Sequence, residues 1–509
     1  MKDKENATNV EVMEDPNDVD IDKREQYVKK AGHDKAEVLV PDNMTLEDIG
    51  ATEEEIKKLT RKIDFTIIPF LAVCYVFYYV DKTTLSYAAI FGIKEDLNLH
   101  GTQYNWLSSV FYIGFFFWQF PTNFLLLKFP VARYLGINIF FWGAFLMIQA
   151  ACPSFATLAV VRILGGAAEA VSDPAFMLIT SIWYTRRQQP VRFGTWYAAN
   201  GLGIAVGGLL GYGIGHIKGS LPSWKYEFLI IGALCASWGI TVALFLPSNP
   251  VDSKFLTTRE KQILLIRLRE NQTGIESKVF KWQQVKEALL DVKCIAFAVI
   301  AMIGNVPNGG ISNFGTLIIQ GFGFSTLGTT LLQVPYGAVI IISLLSSVWV
   351  NDKVGANKRC LVAILYILPN VCGAFGLYFL PQDNKGGRLT CYYLTGPYNA
   401  AFVIVLSLAT ANIAGHTKKV TCNAMVFLGF CIGNFVSPFF YLTSQAPQYQ
   451  LGIGSMLFSH FVEIALLALL ALYLRRENKK REATSDASDF SNAFLDMTDK
   501  ENLNFRYIY

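Results

Sequence analysis

The residues best equipped for chemistry sit on one apolar run, 155–183, where Arg162, Gly166, Glu169 and Asp173 are spaced by 4, 3 and 4. At about 100° per residue these intervals put all four on one face of a helix. An ionisable group in a hydrocarbon layer is costly unless it is paired or faces water, so that face must look into the protein. Arginine grips a carboxylate with two hydrogen bonds while keeping its charge. A partly desolvated glutamate exchanges protons near neutral pH. Arg162 for an anion and Glu169 for a proton, with Asp173 deeper on the same face, are the minimal equipment of a proton–anion symporter. The competing reading is an internal Arg–Glu pair that only joins helices.

Four further groups bear on this. Asp81 and Lys82 lie past the midpoint of the run 64–86, as a second charged pair or as side chains snorkelling to the interface. In the run 294–320, Pro307, Gly309 and Gly310 predict a broken helix whose Asn305, Asn308 and Asn313 line a substrate site, with a gating hinge as the alternative. His460 and Glu463, one turn apart in 453–474, read as a packing contact before a proton relay. Gly203, Gly207, Gly211 and Gly215 form a stripe that lets another helix approach closely.

The elements that must position these residues are membrane helices. Apolar runs of about 20 residues are long enough to span a bilayer. Six occur at 64–86, 104–127, 134–152, 155–183, 191–214 and 226–247, and six more at 294–320, 328–350, 359–380, 390–412, 420–441 and 453–474. We label them α1 to α12. The chain is 509 residues long, 52% hydrophobic and only 17% charged. Residues 1–62 form a charged tail without a core, expected to be disordered or locally helical. An N-terminal six-helix half (63–247) is then followed by a basic, amphipathic linker (248–293), a C-terminal half (294–474) and a second tail (475–509).

Orientation follows from basic residues in short loops. Lys128, Arg133, Arg186, Arg187, Arg192, Lys353, Lys358, Arg359, Lys418 and Lys419 all fall on the side of the two termini, so both termini are expected in the cytoplasm. The N-x-S/T signals at Asn6, Asn43 and Asn271 lie on that same side, so none should be glycosylated. A net charge of +4 gives no reason to expect nucleic acid. Nine scattered cysteines, no metal-ligand cluster, no phosphate-binding loop and no nucleophile–base pair argue against an enzyme, a cofactor or an ATP-driven pump. The expected partners are the lipid bilayer, protons and a small organic anion, handled by a monomer.

The pattern from about Lys62 to Arg481 resembles the major facilitator superfamily, and more narrowly its anion:cation symporter family. Asp352-Lys353-Val354-Gly355 with Lys358-Arg359 is similar to the superfamily's cytoplasmic loop motif, while the first half keeps only Lys128 and Arg133. Asp81-Lys82 and the R-x-x-x-G-x-x-E-like stretch from Arg162 to Glu169 resemble the family's anion and proton site; many members carry Arg where Lys82 stands. Asn305-Val306-Pro307-Asn308-Gly309-Gly310-Ile311-Ser312, Gly415-His416-Thr417-Lys418-Lys419, and the tail Asp496-Met497-Thr498-Asp499…Asn504-Phe505-Arg506-Tyr507 resemble the fungal allantoate permease group. The resemblance implies an all-α, twelve-helix fold of two six-helix halves. It also implies a plasma-membrane symporter for allantoate, ureidosuccinate or another carboxylate such as a vitamin acid. Arg162 and Lys82 would hold the anion, with Asn305, Asn308 and Asn313 contributing, and Glu169, Asp81 and Asp173 would carry the proton. A nutrient sensor on a transporter fold, a drug/proton antiporter and an internal-membrane location are the alternatives. The missing Gly-Pro pair in α5 counts against the antiporter.

Overall fold

A computed structural model describes residues 39–40, 44–185, 188–270, 280–483 and 497–509. Asn6, Asn43, Asn271, Arg186, Arg187 and Asp496, named above, lie outside them. The described residues fall into two compact units, one made of those before Ile63 with those of 249–270, the other of all the rest.

In the smaller unit, helix Thr258–Glu270 and the first turns of α1 are joined by side chains. Lys62 is 2.7 Å from Glu260, Arg259 is 3.2 Å from Glu55, and Arg267 donates to Thr60 at 3.2 Å. The two ion pairs are partly exposed, so each contributes little on its own.

The larger unit is a bundle of membrane helices. Among the described residues eleven helices are long and apolar enough to cross a bilayer. They are α1 (Glu53–Ile90), α3 (Val131–Gln149), α4 (Phe155–Trp183), α5 (Val191–Gly215), α6 (Ser223–Phe245), α7 (Val292–Gln320), α8 (Thr326–Asn351), α9 (Arg359–Phe379), α10 (Lys385–Asn412), α11 (His416–Phe440) and α12 (Gln450–Glu482). The twelfth, α2, is the 26-residue helix Gln103–Lys128. At 1.5 Å per residue it is about 39 Å long, ample for a bilayer. An even number of spans puts both ends of the bundle's chain on one side, here called the terminus side. Phe117, Phe120, Phe124, Leu244 and Phe245 point outward, as the lipid-facing surface of a bundle requires.

Glycine sets how closely the helices pack. A Cβ on Gly166 of α4 would overlap the Phe111 carbonyl of α2, and one on Gly114 would overlap the Ile163 carbonyl. Gly165, by contrast, has nothing within 4 Å of its Cβ position. The two neighbours therefore separate cleanly. Gly166→Ala is expected to lower stability by about 1–3 kcal/mol through overpacking. Gly165→Ala should be neutral or slightly stabilising, and thermal unfolding of the two purified variants in detergent checks both. On α5, Gly203 meets Val76 and Tyr79 of α1, while Gly207 and Gly211 meet Tyr87, so the stripe does bring α5 against α1.

One expectation needs refinement and one needs correction. The hydrogen-bond ladder of α4 lapses between Phe155–Glu169 and Ser172–Trp183, although Ala170 and Val171 keep right-handed helical dihedrals. Pro174 has no N–H to give the Ala170 carbonyl one turn back, which explains the lapse. Asp173 lies just past the lapse and is only half-buried, whereas Arg162 and Glu169 are buried. In contrast, α7 is not broken: helix Val292–Gln320 runs through Pro307 and both glycines. Its neighbours hold it straight. The Ser437 hydroxyl donates to the Val306 carbonyl, and Gly309 and Gly310 make room for Asn434, Ser437 and Tyr441.

Candidate functional site

The charged residues of α1 and α4 meet inside the bundle. Asp81 is 3% exposed, Lys82 7%, Arg162 4% and Glu169 0%, yet no ion pair within 4.0 Å joins any of them among the described residues. The reading of Arg162 and Glu169 as a helix-joining pair therefore finds no support.

Arg162 and Asp81 are instead held from behind. Arg162 Nε donates to the Leu107 carbonyl of α2 at 2.7 Å, and its Nη1 to Gln149 of α3 at 3.4 Å. The Phe111 ring lies 5.5 Å from its guanidinium carbon. Trp142 of α3 donates its indole N–H to Asp81 Oδ2 at 2.9 Å and leaves Oδ1 without a partner. Glu169 lies beside Asp81, but neither of its oxygens has a hydrogen bond of good geometry. Lys82 Nζ has no hydrogen-bond partner and rests 4.0 Å from the centre of the Tyr78 ring, with Tyr79 and Phe430 at 5.3 and 5.4 Å. Aromatic faces attract a cation but leave its N–H groups unsatisfied. Buried polar atoms almost always have partners, so this concentration of unpaired ones makes the region the candidate site.

That place is a cavity. Asp81, Lys82, Arg162, Ser108 and Tyr112 line it from the first half, and Ser312 and Asn313 of α7 from the second. Ser312 also borders a neighbouring cavity. This second space is walled by Tyr79, Tyr87, Tyr336, Tyr392 and Tyr398, with Thr83 and Gln333. The Tyr87 and Tyr336 hydroxyls lie near Thr83 and Thr395 but make no hydrogen bond of good geometry.

Of the three asparagines singled out on α7, only Asn313 reaches the charged cavity, and its amide donates to the Gly309 carbonyl at 2.8 Å. Asn305 and Asn308 belong to a closed network. Asn434 donates to Asn305 at 3.3 Å and accepts from Asn308 at 2.8 Å, while the Tyr398 hydroxyl donates to Asn308 at 2.7 Å. Their amides are consumed in holding α7, α10 and α11 together.

The side of the bundle away from the termini is closed between the two halves. Ser86 and Thr316 are 2.6 Å apart, and Tyr104 donates to the Asn313 carbonyl at 2.7 Å. Asn105 donates to the Tyr441 carbonyl at 2.9 Å, and Ser109 to that of Phe435 at 2.7 Å. Two helical halves, joined on one side over a buried, charged cavity, are the architecture of an alternating-access carrier. Residues 71–468 match the family model of the Major Facilitator Superfamily. The chain belongs to the major facilitator superfamily.

This major facilitator protein is similar to the allantoate permease of Saccharomyces cerevisiae, with 32% identity over 476 residues, 90% of this chain and 88% of that one. It is 32% identical over 496 residues to the thiamine pathway transporter of the same yeast, covering 96% and 94% of the two chains. Among solved structures, the major facilitator proton:xylose symporter bound to 6-bromo-6-deoxy-D-glucose superposes with a TM-score of 0.63 at 12% identity, covering 82% of this chain and 96% of that one. That likeness is one of fold. This major facilitator protein is thus a multi-pass membrane transporter, and the names of its relatives point away from an enzyme.

Several residues around the site were not singled out from the sequence. Trp142 and Gln149 orient Asp81 and Arg162, and Asn434 and Tyr398 anchor the α7 network. The available signal was a polar residue inside an apolar run, which Gln149 and Asn434 both are. Glu227 of α6 carried the same signal and is fully buried with both oxygens unpartnered. Trp142 and Tyr398 gave none, because aromatic residues are common throughout.

Proposed function

We propose that the chain is a proton-coupled symporter that imports a small organic anion across the plasma membrane by alternating access, with both termini in the cytoplasm. The observation that carries this reading is the convergence of Lys82 and Arg162 on one buried cavity beside the carboxyl groups of Glu169 and Asp81, which keep three oxygens without a hydrogen bond of good geometry. Two cations call for an anion, and a carboxylate between them would satisfy donors that the protein leaves open. Glu169 is the proton carrier, Asp81 its partner, and Asp173 the group through which the proton leaves toward the terminus side. Asn313 touches the substrate, whereas Asn305 and Asn308 shape the site from behind.

The tyrosine-walled cavity next door supports a particular kind of anion. Hydroxyls on rigid rings suit a flat body rich in hydrogen-bonding groups, such as an amide, a ureide or a nitrogen heterocycle. Allantoate, the solute in one relative's name, has a carboxylate and ureido groups; a vitamin acid has the same two-part form. The thiamine pathway name specifies no solute. The basic loop residues on the terminus side support the cytoplasmic placement.

The test is uptake of labelled allantoate, ureidosuccinate, nicotinate and pantothenate in permease-deficient cells at acidic and neutral pH. Saturable uptake of one acid, stronger at acidic pH and abolished by a protonophore, is the expected result. A surface-exposed protein that takes up none of them, or that lowers cellular levels of a drug, overturns the reading in favour of a sensor or an exporter.

A further inference from the structure

The described part of the tail motif, from Met497 on, has no part in the central site, yet it is held by many contacts. Asp499 is fully buried on the terminus side of the second half, 2.7 Å from Lys293 Nζ and 2.7 Å from Lys418 Nζ. Asp291, just before α7, lies 2.7 Å from Lys418 and 3.0 Å from Lys293. All four side chains are at most 1% exposed. Burial works against charge on Asp291, but its hydrogen bond to Lys418 and the charges of Lys293 and Lys418 hold the carboxyl down at about 2. Asp499 is lowered for the same reasons. Both acids therefore stay ionised far below neutral pH, and the cluster is not a switch in the physiological range.

The rest of the segment is read by backbone and ring contacts. Asn478 of α12 donates to the Tyr507 carbonyl and accepts from its N–H, both at 2.8 Å. Asn412 of α10 does the same for Ile508, at 2.8 and 2.7 Å. The Arg359 N–H of α9 donates to the Tyr509 carbonyl at 3.1 Å. Tyr507 gives its hydroxyl proton to Asp499 at 2.9 Å and accepts from Arg481 at 2.7 Å, and its ring lies under Arg481 and Lys293. These contacts all fall on the second half, so the segment does not lock the two halves together.

Lys293 lies 3.0 Å from Asp291 and 2.7 Å from Asp499, and Lys418 lies 2.7 Å from each of these and 2.8 Å from the partly buried Glu287. Without Asp499 both buried lysines lose a carboxylate partner, and Lys293 keeps Asp291 alone among those contacts, which is unfavourable. We propose that this pocket is a peptide-binding site for an acidic residue followed eight positions later by tyrosine, with residues 497–509 as its tethered ligand. Filling it fastens the terminus-side ends of α7, α9, α10, α11 and α12 into one body that moves as a unit.

Hydrogen exchange on the full chain in detergent tests this without reference to any transported solute. The amides of Tyr507 and Ile508, and those at the adjoining ends of α10 and α11, should exchange slowly. Asp499→Ala should speed exchange at all of them by about tenfold or more. A synthetic peptide with the sequence of 497–509 should restore protection, and the same peptide with alanine for its buried aspartate should not. Asn412→Ala loosens the segment without leaving a buried charge, so it gives the same comparison if Asp499→Ala fails to fold. Fast exchange at 507–508 in the unaltered chain, unchanged helix ends in the variants, or equal rescue by both peptides would overturn the proposal.

Discussion

Lys82→Gln is expected to weaken the apparent affinity for the transported anion by roughly 10- to 100-fold, the range for losing a charge-assisted hydrogen bond at a buried site. Lys82 Nζ has no hydrogen-bond partner within the protein and is steadied by the Tyr78 ring at 4.0 Å. Its removal therefore breaks no internal bond, and the loss should fall on substrate rather than on stability. Glutamine keeps much of the length and can still donate, which isolates the effect of charge. Lys82→Arg retains the charge and should recover part of the affinity. Concentration dependence of initial uptake, with thermal unfolding alongside, makes the measurement. Unchanged affinity in Lys82→Gln would remove Lys82 from the anion site.

Glu169→Gln should abolish concentrative uptake while leaving exchange of labelled for unlabelled substrate measurable. Accumulation against a gradient requires that substrate and proton binding be coupled, and without that coupling the inside-to-outside ratio falls to about one. Glutamine mimics the protonated acid, so the loaded carrier can still turn over and swap substrate across the membrane. The geometry favours Glu169 over Asp81 for this role: both Glu169 oxygens are unpartnered, whereas Asp81 is tied to Trp142 at 2.9 Å. If Glu169→Gln cells still accumulate substrate, the proton travels elsewhere. Buried Glu227 on α6 is then the next group to replace.

The sequence was most legible where a single physical rule acted alone. Charged residues inside apolar runs marked Asp81, Lys82, Arg162 and Glu169, and these four do converge on one region of the bundle. The glycine stripe on α5 marked a close helix contact, and α1 is the helix it meets. Legibility failed where neighbours decide the outcome. Pro307 weakens α7 locally, but packing from Ser437, Asn434 and Tyr441 keeps the helix continuous. Pro174 was the quieter signal and the one that interrupts a hydrogen-bond ladder, because it sits just past Glu169 where the face of α4 was expected to continue.

The sequence by itself determined the twelve spans, the family and the residue types of a charged site, since hydropathy and the cost of a buried charge are properties of single segments. Only the tertiary structure decided how those charges are used. It left Lys82 and Glu169 unpaired while Trp142, Gln149 and the Leu107 carbonyl hold Asp81 and Arg162. It turned Asn305 and Asn308 from open ligands into members of a closed network, and drew Asp499 back into a pocket between two lysines. Partner choice of that kind depends on which helices come side by side, and that is fixed by packing between segments far apart in the chain.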